Sequence, residues 1–303
     1  MPVFSRLLVE PLYRFMYGRP LDDTPPLLKP GLPDGPIDDD PLREDRPRGL
    51  VLVADGVGGL DLCGTALRYV LGAEGLHYAF HVFPWGHGFG RWLADLTNVA
   101  NRDAKAAVLA DAVRRFRTRQ PDEPVFLVAK SGGSGVVVKA LEQLEENSVC
   151  RAVLLSPALS PRYDLTAGLR AVSKEMVVFW SPWDLIVLGA GTRVFGTADR
   201  VRTVSAGMTG FRLPDAASSL SAAASEATDS DVERARQYAK LHQVRWTPRM
   251  ARTGYLGGHV GPDSPIFLRN YVVPLLRAGP DGLSRTHEAR TQQDSVSSPR
   301  GPL

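Results

Sequence analysis

Short, entirely apolar segments alternate with amphipathic helical patterns through most of this 303-residue chain. Strands that are apolar along their whole length, and that are separated by helices, are typical of a parallel sheet covered on both faces. The alternation therefore predicts an α/β fold with a mostly parallel sheet and helices on both faces. The predicted strands are residues 50–54, 76–83, 125–129, 152–155 and 176–180, with weaker candidates at 201–204 and 244–246; the predicted helices are residues 105–120, 133–147 and 265–276.

The alternating region predicts one large domain, residues 49–277. Hydrophobic residues make up 44% of the chain, so a core of substantial size can form. Only a short segment separates the fourth and fifth predicted strands, which excludes a large cap there. An insertion at residues 207–242 has an Ala- and Ser-rich centre that predicts either a mobile flap or a surface loop. Outside the domain we predict a proline-rich linker or surface wrap at 19–48 and a disordered tail at 278–303.

The N-terminal segment, residues 1–18, mixes apolar side chains with arginines. Such a segment either contacts a membrane surface or packs on the domain as a helix, and Pro11 favours the packed helix. The segment lacks the continuous apolar stretch of a secretory signal, and no run of about 20 apolar residues is present to span a bilayer. Cys63 and Cys150 lie far apart and form no C-x-x-C motif. These features predict a cytoplasmic protein.

The stretch Ala129-Lys130-Ser131-Gly132-Gly133 ends a predicted strand and begins a predicted helix. A serine at such a turn, with very small residues two positions before and after it, has the layout of a nucleophile elbow. Ala129 stands where glycine is usual in the G-x-S-x-G pattern, and its methyl group is still small. The pentapeptide is common by chance, so its context decides whether Ser131 is a nucleophile or an incidental turn residue.

A serine nucleophile needs a histidine base that is oriented by a carboxylate, and on a parallel sheet these groups lie in loops after strands. Asp184 lies in the loop that follows the predicted strand 176–180. His259 lies in a glycine-rich stretch just before the predicted helix 265–276. The alternative is that Asp184 caps a turn and that His259 is a solvated loop residue.

A second acid, Asp199, follows Asp184 closely in the sequence. It precedes the weak predicted strand 201–204, so we expect it at the opposite end of the sheet from Ser131. On this reasoning Asp184 is the better partner for a catalytic histidine.

A loop with three glycines, residues 55–59, follows the first predicted strand. Glycines let backbone N–H groups point inward without a side chain in the way. Stabilising the oxyanion of a tetrahedral intermediate needs two such donors. We predict that these donors are the N–H groups of Val57, in this loop, and of Gly132, directly after the serine.

The serine, the acid and the histidine follow one another in the chain order of the α/β-hydrolase superfamily. The loop at 55–59 is similar to the His-Gly-x loops of lipases and esterases, with Asp55 where histidine is usual. Over residues 49–277 the chain therefore resembles an esterase- or lipase-like α/β-hydrolase of no identified subfamily. The resemblance implies a serine hydrolase for a small-molecule acyl substrate, with Ser131 as nucleophile, His259 as base and Asp184 as orienting acid. It implies no metal and no organic cofactor.

Two other functions fit the same residues. One is a non-catalytic binding or scaffold protein that kept the fold. The other is an acyltransferase that uses the same three side chains to acylate an alcohol or amine. Trp85 and Trp183 lie near strand ends, where each either lines an acyl pocket or belongs to the core.

Several other classes of function find no support. A dinucleotide site of the G-x-G-x-x-G type fails because Asp61 occupies the third glycine position. The net charge is only +3 and the arginines are interspersed with acids, which argues against nucleic-acid binding. His77, His81 and His87 lie close in the sequence, yet the first two fall in a predicted strand, so core or loop positions are favoured over a zinc site.

Overall fold

A six-stranded sheet forms the centre of the computed structural model, which describes residues 2–24, 48–214 and 228–277. All neighbouring strands in this sheet are parallel, and their order is β2-β1-β3-β4-β5-β6. This arrangement confirms the α/β fold and the parallel sheet predicted from the sequence. The strands are β1 (Leu50–Ala54), β2 (Ala79–Val82), β3 (Val125–Lys130), β4 (Val149–Leu155), β5 (Val172–Trp180) and β6 (Leu241–Arg245).

Helices connect the strands and flank the sheet. The α-helices are α1 (Pro2–Tyr17), α2 (Leu62–Ala73), α3 (Trp92–Thr97), α4 (Val99–Arg119), α5 (Gly133–Leu141), α6 (Thr166–Arg170), α7 (Thr192–Phe195), α8 (Ala206–Thr209) and α9 (Asp229–Tyr238). Short 3₁₀ turns are found at Leu21–Asp23, Pro248–Thr253 and Gly261–Asp263, and a π-helical turn at Leu185–Gly191. A C-terminal helix runs without a break through Pro265–Phe267, Leu268–Val272 and Val273–Leu276.

The central strands are buried on both faces over most of their length, and alternate residues enter two separate cores. In β1, Leu52 packs with residues of α4 and α5, whereas Val51 and Val53 pack with α1, α2 and the C-terminal helix. All five residues of β1 are buried. This two-sided burial is the physical reason for the uninterrupted apolar runs, and it confirms helices on both faces of the sheet.

The segment 201–204 is not a strand, so that part of the prediction was wrong. The strand that pairs with β5 on that side is β6, and it forms the edge of the sheet. The pairing runs as far as Trp180 of β5 and Arg245 of β6. The segment instead crosses the carboxyl ends of the strands, where Ala198 N–H donates to Ala158 O and Ala206 N–H donates to Leu159 O. Val201 is exposed, as expected outside a buried strand.

The connection between β4 and β5 contains only the five-residue helix α6. The prediction of no large cap at this point is therefore confirmed. The predicted linker from residue 25 to 47, the centre of the insertion at 215–227 and the predicted tail at 278–303 lie outside the described residues.

The N-terminal helix α1 packs on the domain and presents an apolar face to solvent. Val9 and Tyr13 are buried against α2 and the C-terminal helix. The opposite side of α1 exposes six large apolar side chains, and we call it the α1 face. It consists of Val3, Phe4, Leu7, Leu8, Leu12 and Phe15.

In the described part of the chain, no helix is long and apolar enough to cross a membrane.

Candidate active site

The carboxyl ends of the central strands meet at one edge of the sheet. Ser131 N–H donates to Leu155 O at 3.0 Å, and Ser156 N–H donates to Phe179 O at 2.9 Å, so β3, β4 and β5 end at the same level. Loops that leave these strands therefore converge above the sheet. Ser131 and Gly132 follow β3 and Asp184 follows β5, whereas Val57 follows β1 and His259 comes after β6.

Ser131 lies at a sharp turn between β3 and α5. Its φ is +49°, a left-handed conformation that costs a non-glycine residue on the order of 1–2 kcal/mol. Three hydrogen bonds hold the turn at the carbonyl oxygen of Ser131, from Ser134 N–H, Ser134 Oγ–H and Ala158 N–H. A Cβ on Gly133 would lie 2.1 Å from Ala54 O, so this position requires glycine for α5 to pass the end of β1.

His259 lies between the serine and the acid. Its Nε2 is 2.9 Å from Ser131 Oγ, and its Nδ1 is 2.7 Å from Asp184 Oδ2. The structure thus brings together all three residues predicted from the chain order. The hydrogen bond to the carboxylate assigns the proton to Nδ1 and leaves Nε2 to accept from the serine hydroxyl.

The Asp184 carboxylate is almost completely buried. Its Oδ1 accepts from Leu188 N–H at 3.4 Å in the π-helical turn, while Oδ2 faces His259. Burial lowers the pKa of His259 below its ordinary value, and the positive charge of Lys130 acts in the same direction. Asp184 raises that pKa but does not outweigh the other two effects. The imidazole is therefore neutral at neutral pH, as a general base must be.

Glycines shape the loop that carries His259. Gly257 has φ +93°, and a Cβ there would lie 3.1 Å from Trp183 Cβ. A Cβ on Gly261 would lie 2.1 Å from the ring of Tyr255. These close approaches explain why the histidine is set among glycines.

Asp55 anchors the glycine loop after β1. Its buried carboxylate accepts from Gly56 N–H and Gly64 N–H, both at 2.7 Å. Its carbonyl oxygen accepts from Trp85 Nε1–H at 2.8 Å. Burial raises the pKa of Asp55, whereas the hydrogen bonds from the two backbone N–H groups lower it. The side chain at the position where the related loops have histidine is thus part of the loop's own hydrogen bonding.

Asp95, which the sequence analysis did not single out, fixes the same loop from the other side. Its carboxylate accepts from Gly58 N–H at 2.8 Å and from His87 N–H at 2.7 Å, and it lies 2.9 Å from His87 Nδ1. The sequence did contain a sign of this role, because Asp95 is an acid within the apolar stretch that forms α3. An acid that is buried at such a position rarely lacks partners.

The two residues predicted to supply the oxyanion donors lie next to each other beside Ser131. A Cβ on Gly132 would lie 2.7 Å from Val57 Cγ1, so the two residues are in direct contact. Among the described residues, neither Val57 N–H nor Gly132 N–H donates a hydrogen bond. Two backbone donors next to Ser131 are therefore available to a ligand.

A buried ion pair lies behind the serine turn. Lys130 Nζ is 3.5 Å from Asp263 Oδ2. Burial raises the pKa of Asp263 to about 7, although Lys130 lowers it. The sequence analysis assigned Lys130 no function. A lysine at the end of an otherwise apolar strand was the one sign that it needs a buried partner.

Trp85 and Trp183 occupy different environments. Trp85 is buried, and its six-membered ring lies 3.4 Å from the position of a Cβ on Gly132, beside a small cavity shared with Val57. Trp183 is 61% exposed next to the His259 loop. Neither placement tests a role in substrate binding.

Asp199 does not lie at the opposite end of the sheet, contrary to the expectation. It accepts from Ser160 N–H at 2.8 Å, in the loop that leaves the carboxyl end of β4. The expectation was wrong because it depended on a strand at 201–204. Asp199 is nevertheless engaged with Ser160 and not with His259. Both residues line a cavity of about 770 Å³ that contains none of the three residues Ser131, Asp184 and His259.

Within the described ranges, no group of three or more His, Cys, Asp or Glu side chains could hold a metal ion. His81 is partly buried, and burial lowers its pKa to about 4. His87 binds Asp95, as described above.

The family model described as serine aminopeptidase, S33, matches residues 45–245. The match includes Ser131 and Asp184 and ends before His259. A search of curated proteins gives no match.

Among solved structures, the chain is similar to an esterase of Pyrococcus furiosus, with 11% identity over 80% of this chain and 84% of that chain and a TM-score of 0.41. A protein of Thermoplasma acidophilum described as a predicted CIB-like hydrolase has 14% identity over 78% of this chain and 89% of that chain, with a TM-score of 0.38. A Trichoderma reesei cutinase in complex with a phosphonate inhibitor has 17% identity over 47% of this chain, with a TM-score of 0.33. The chain spans 64% of the cutinase, slightly less than two thirds of its length.

Proposed function

Because this chain belongs to the serine aminopeptidase, S33, family of α/β-hydrolases, we propose that it is a serine hydrolase with Ser131 as nucleophile, His259 as general base and Asp184 as orienting acid. Its substrate is an ester or a similar acyl compound. The observation that carries the proposal is the continuous hydrogen-bonded path from Ser131 Oγ through both ring nitrogens of His259 to Asp184 Oδ2.

The first half of the reaction forms an acyl-enzyme. Ser131 Oγ attacks the acyl carbon while its proton moves to His259 Nε2. Asp184 stabilises the resulting imidazolium, and the N–H groups of Val57 and Gly132 stabilise the oxyanion. The bond to the leaving group then breaks, and His259 returns the proton to the departing oxygen.

The second half releases the acid. A water molecule gives its proton to His259 Nε2 and attacks the acyl carbon of the Ser131 ester. The tetrahedral intermediate collapses, the bond to Ser131 Oγ breaks, and His259 reprotonates the serine. The lowered pKa of His259 supports this cycle, because the imidazole begins each half-reaction in its neutral form.

Covalent labelling with a fluorophosphonate probe, followed by hydrolysis of p-nitrophenyl esters of increasing chain length, tests the proposal. We expect labelling of Ser131, ester hydrolysis by the wild type, and a loss of at least about 10³-fold in kcat in Ser131→Ala. A control is Ser148→Ala, which removes a hydroxyl just before β4, at the end of the sheet away from Ser131, and should keep the labelling.

The outcomes separate the alternatives. A folded wild-type protein that is not labelled would favour a binding or scaffold protein. Transfer of the acyl group to an added alcohol in preference to water would favour an acyltransferase. An active, normally folded Ser131→Ala variant would overturn the assignment of the nucleophile.

A further inference from the structure

A surface patch of apolar and cationic side chains borders the candidate site next to the loop at 55–59. Five large apolar residues in it are between 40% and 62% exposed. Two exposed arginines, Arg91 and Arg193, directly adjoin these residues in the sequence, and a third, Arg202, follows Phe195 by seven residues. We call this surface the Trp92 patch; it consists of Phe89, Trp92, Leu93, Val194 and Phe195, with Arg91, Arg193 and Arg202.

Two separate segments of the chain build the patch, and direct contacts join them. The rings of Trp92 and Phe195 meet edge to face, with their centroids 5.6 Å apart. Arg200 donates to Leu96 O at 3.4 Å and to Phe195 O at 3.3 Å, which links α3 to the end of α7. The patch is therefore a surface with defined side-chain packing and not a set of isolated exposed residues.

The patch lies close to the candidate oxyanion donors. Gly90 N–H donates to Gly58 O at 3.1 Å, and a Cβ on Gly58 would lie 3.5 Å from Trp92 Cβ. Gly58 directly follows Val57. On the other side, α7 follows the π-helical turn that begins after Asp184. One segment of the patch thus contacts the loop that carries Val57, and the other continues from the turn that follows Asp184.

The charge that the patch presents is positive. In the described part of the chain, Arg91, Arg193 and Arg202 form no ion pair. The two acids of the same segments point elsewhere: Asp95 is buried and holds the glycine loop, and Asp199 binds Ser160. Among the described residues, neither of these carboxylates forms an ion pair with the three arginines.

We propose that the Trp92 patch binds this protein to the surface of a membrane that contains anionic phospholipid. Aromatic and aliphatic side chains flanked by arginines are the combination that such a surface binds, because the apolar groups enter the acyl boundary and the guanidinium groups meet the phosphates. Two-fold association of two copies would bring the patch against itself and set unpaired arginines against each other. Single-stranded nucleic acid favours aromatic stacking, to which Leu93 and Val194 contribute nothing.

Docking in this way would place the mouth of the site beside the membrane surface. Ester bonds of lipids would then come within reach of Ser131, a consequence that rests on the proposed hydrolase function. The docking itself does not require catalysis. It can therefore be tested on an inactive protein, and its failure is distinguishable from a failure of the proposed function.

The test is cosedimentation of the full chain carrying Ser131→Ala with phosphatidylcholine vesicles that contain 0% or about 30% phosphatidylglycerol. We expect binding to the anionic vesicles, weaker binding to the neutral ones, and a decrease with added salt because exposed charges are screened. Reversal of the three charges in Arg91→Glu/Arg193→Glu/Arg202→Glu should weaken binding by at least about 100-fold. Trp92→Ala/Phe195→Ala should weaken it at every salt concentration.

The matched control is Leu7→Ala/Phe15→Ala, which removes two exposed apolar side chains from the α1 face and should keep the binding. With Ser131 restored, all three sets of substitutions should leave the hydrolysis of a short, soluble p-nitrophenyl ester unchanged. This second readout shows that the variants are folded.

Four results would overturn the proposal. They are no binding to anionic vesicles, full binding after the arginine reversal, loss of binding only in the α1 variant, and a concentration-dependent dimer that Trp92→Ala/Phe195→Ala abolishes while vesicle binding persists. Binding to single-stranded RNA at the same patch, with none to vesicles, would assign it to a different partner.

Discussion

Lys130 Nζ lies 3.5 Å from the Asp263 carboxylate, and this buried ion pair joins β3, the strand that directly precedes Ser131, to the segment that follows His259. The lysine directly precedes the candidate nucleophile, and the acid lies four residues after the candidate base. The pair therefore ties two parts of the site together without belonging to the hydrogen-bonded path between Ser131, His259 and Asp184. Its positive charge also lowers the pKa of His259.

Lys130→Met should raise the pKa of His259, because it removes one of the two causes that lower it. The acidic limb of the kcat/KM profile should consequently move to higher pH. Asp263 can take up a proton because its pKa is already about 7. We therefore expect a smaller loss of stability than the ~3–5 kcal/mol typical of leaving a buried charge unpaired. Lys139→Met, in α5, is the control that should leave the limb in place.

The activity of the wild type should fall as pH is lowered, through an apparent pKa below the ordinary histidine value of about 6.5. The sign follows from the base role: only neutral His259 accepts the serine proton, and burial favours the neutral form. Measurement of kcat/KM against pH gives the limb directly. His259→Ala should abolish activity. His87→Ala should keep the acidic limb. If the limb disappears in His87→Ala, the assignment of His259 as the base is wrong.

Asp184→Asn should lower kcat by on the order of 10²–10⁴-fold, because the amide cannot stabilise the imidazolium and favours the wrong tautomer. Asp199→Asn is the matched comparison. Its carboxylate binds Ser160 and is engaged away from His259, so kcat should change little. Equal losses in the two variants would contradict the orienting role of Asp184.

Gly133→Ala should destabilise the protein by at least about 3 kcal/mol, because the added methyl would lie 2.1 Å from the backbone oxygen of Ala54. Neither backbone segment can move without disturbing the sheet. Gly168→Ala, in α6, is the control: its nearest neighbour would be 3.6 Å away, an ordinary contact. Urea denaturation of both variants should show a lower midpoint for Gly133→Ala alone.

Local signals in the sequence were sufficient for the strands that lie in the middle of the sheet. The apolar runs within β1, β3 and β5 follow from burial on both faces, which disfavours a polar residue that has no partner. The buried Lys130 at the end of β3 has such a partner in Asp263. The turn at Ser131 was equally visible, because a strand can pass into a helix in so short a space only where the flanking residues are nearly without side chains. The chain order of Ser131, Asp184 and His259 likewise predicted that they lie close together.

Only the tertiary structure decided the strand order, the absence of a strand at 201–204 and the position of Asp199. It also decided which buried charges face each other, such as Lys130 and Asp263, and which acid holds the glycine loop, Asp95. A local pattern reports whether a segment can be buried and in what conformation. Which distant segment covers it depends on competition among all elements for the same edge and the same face of the sheet, and that competition is settled by packing.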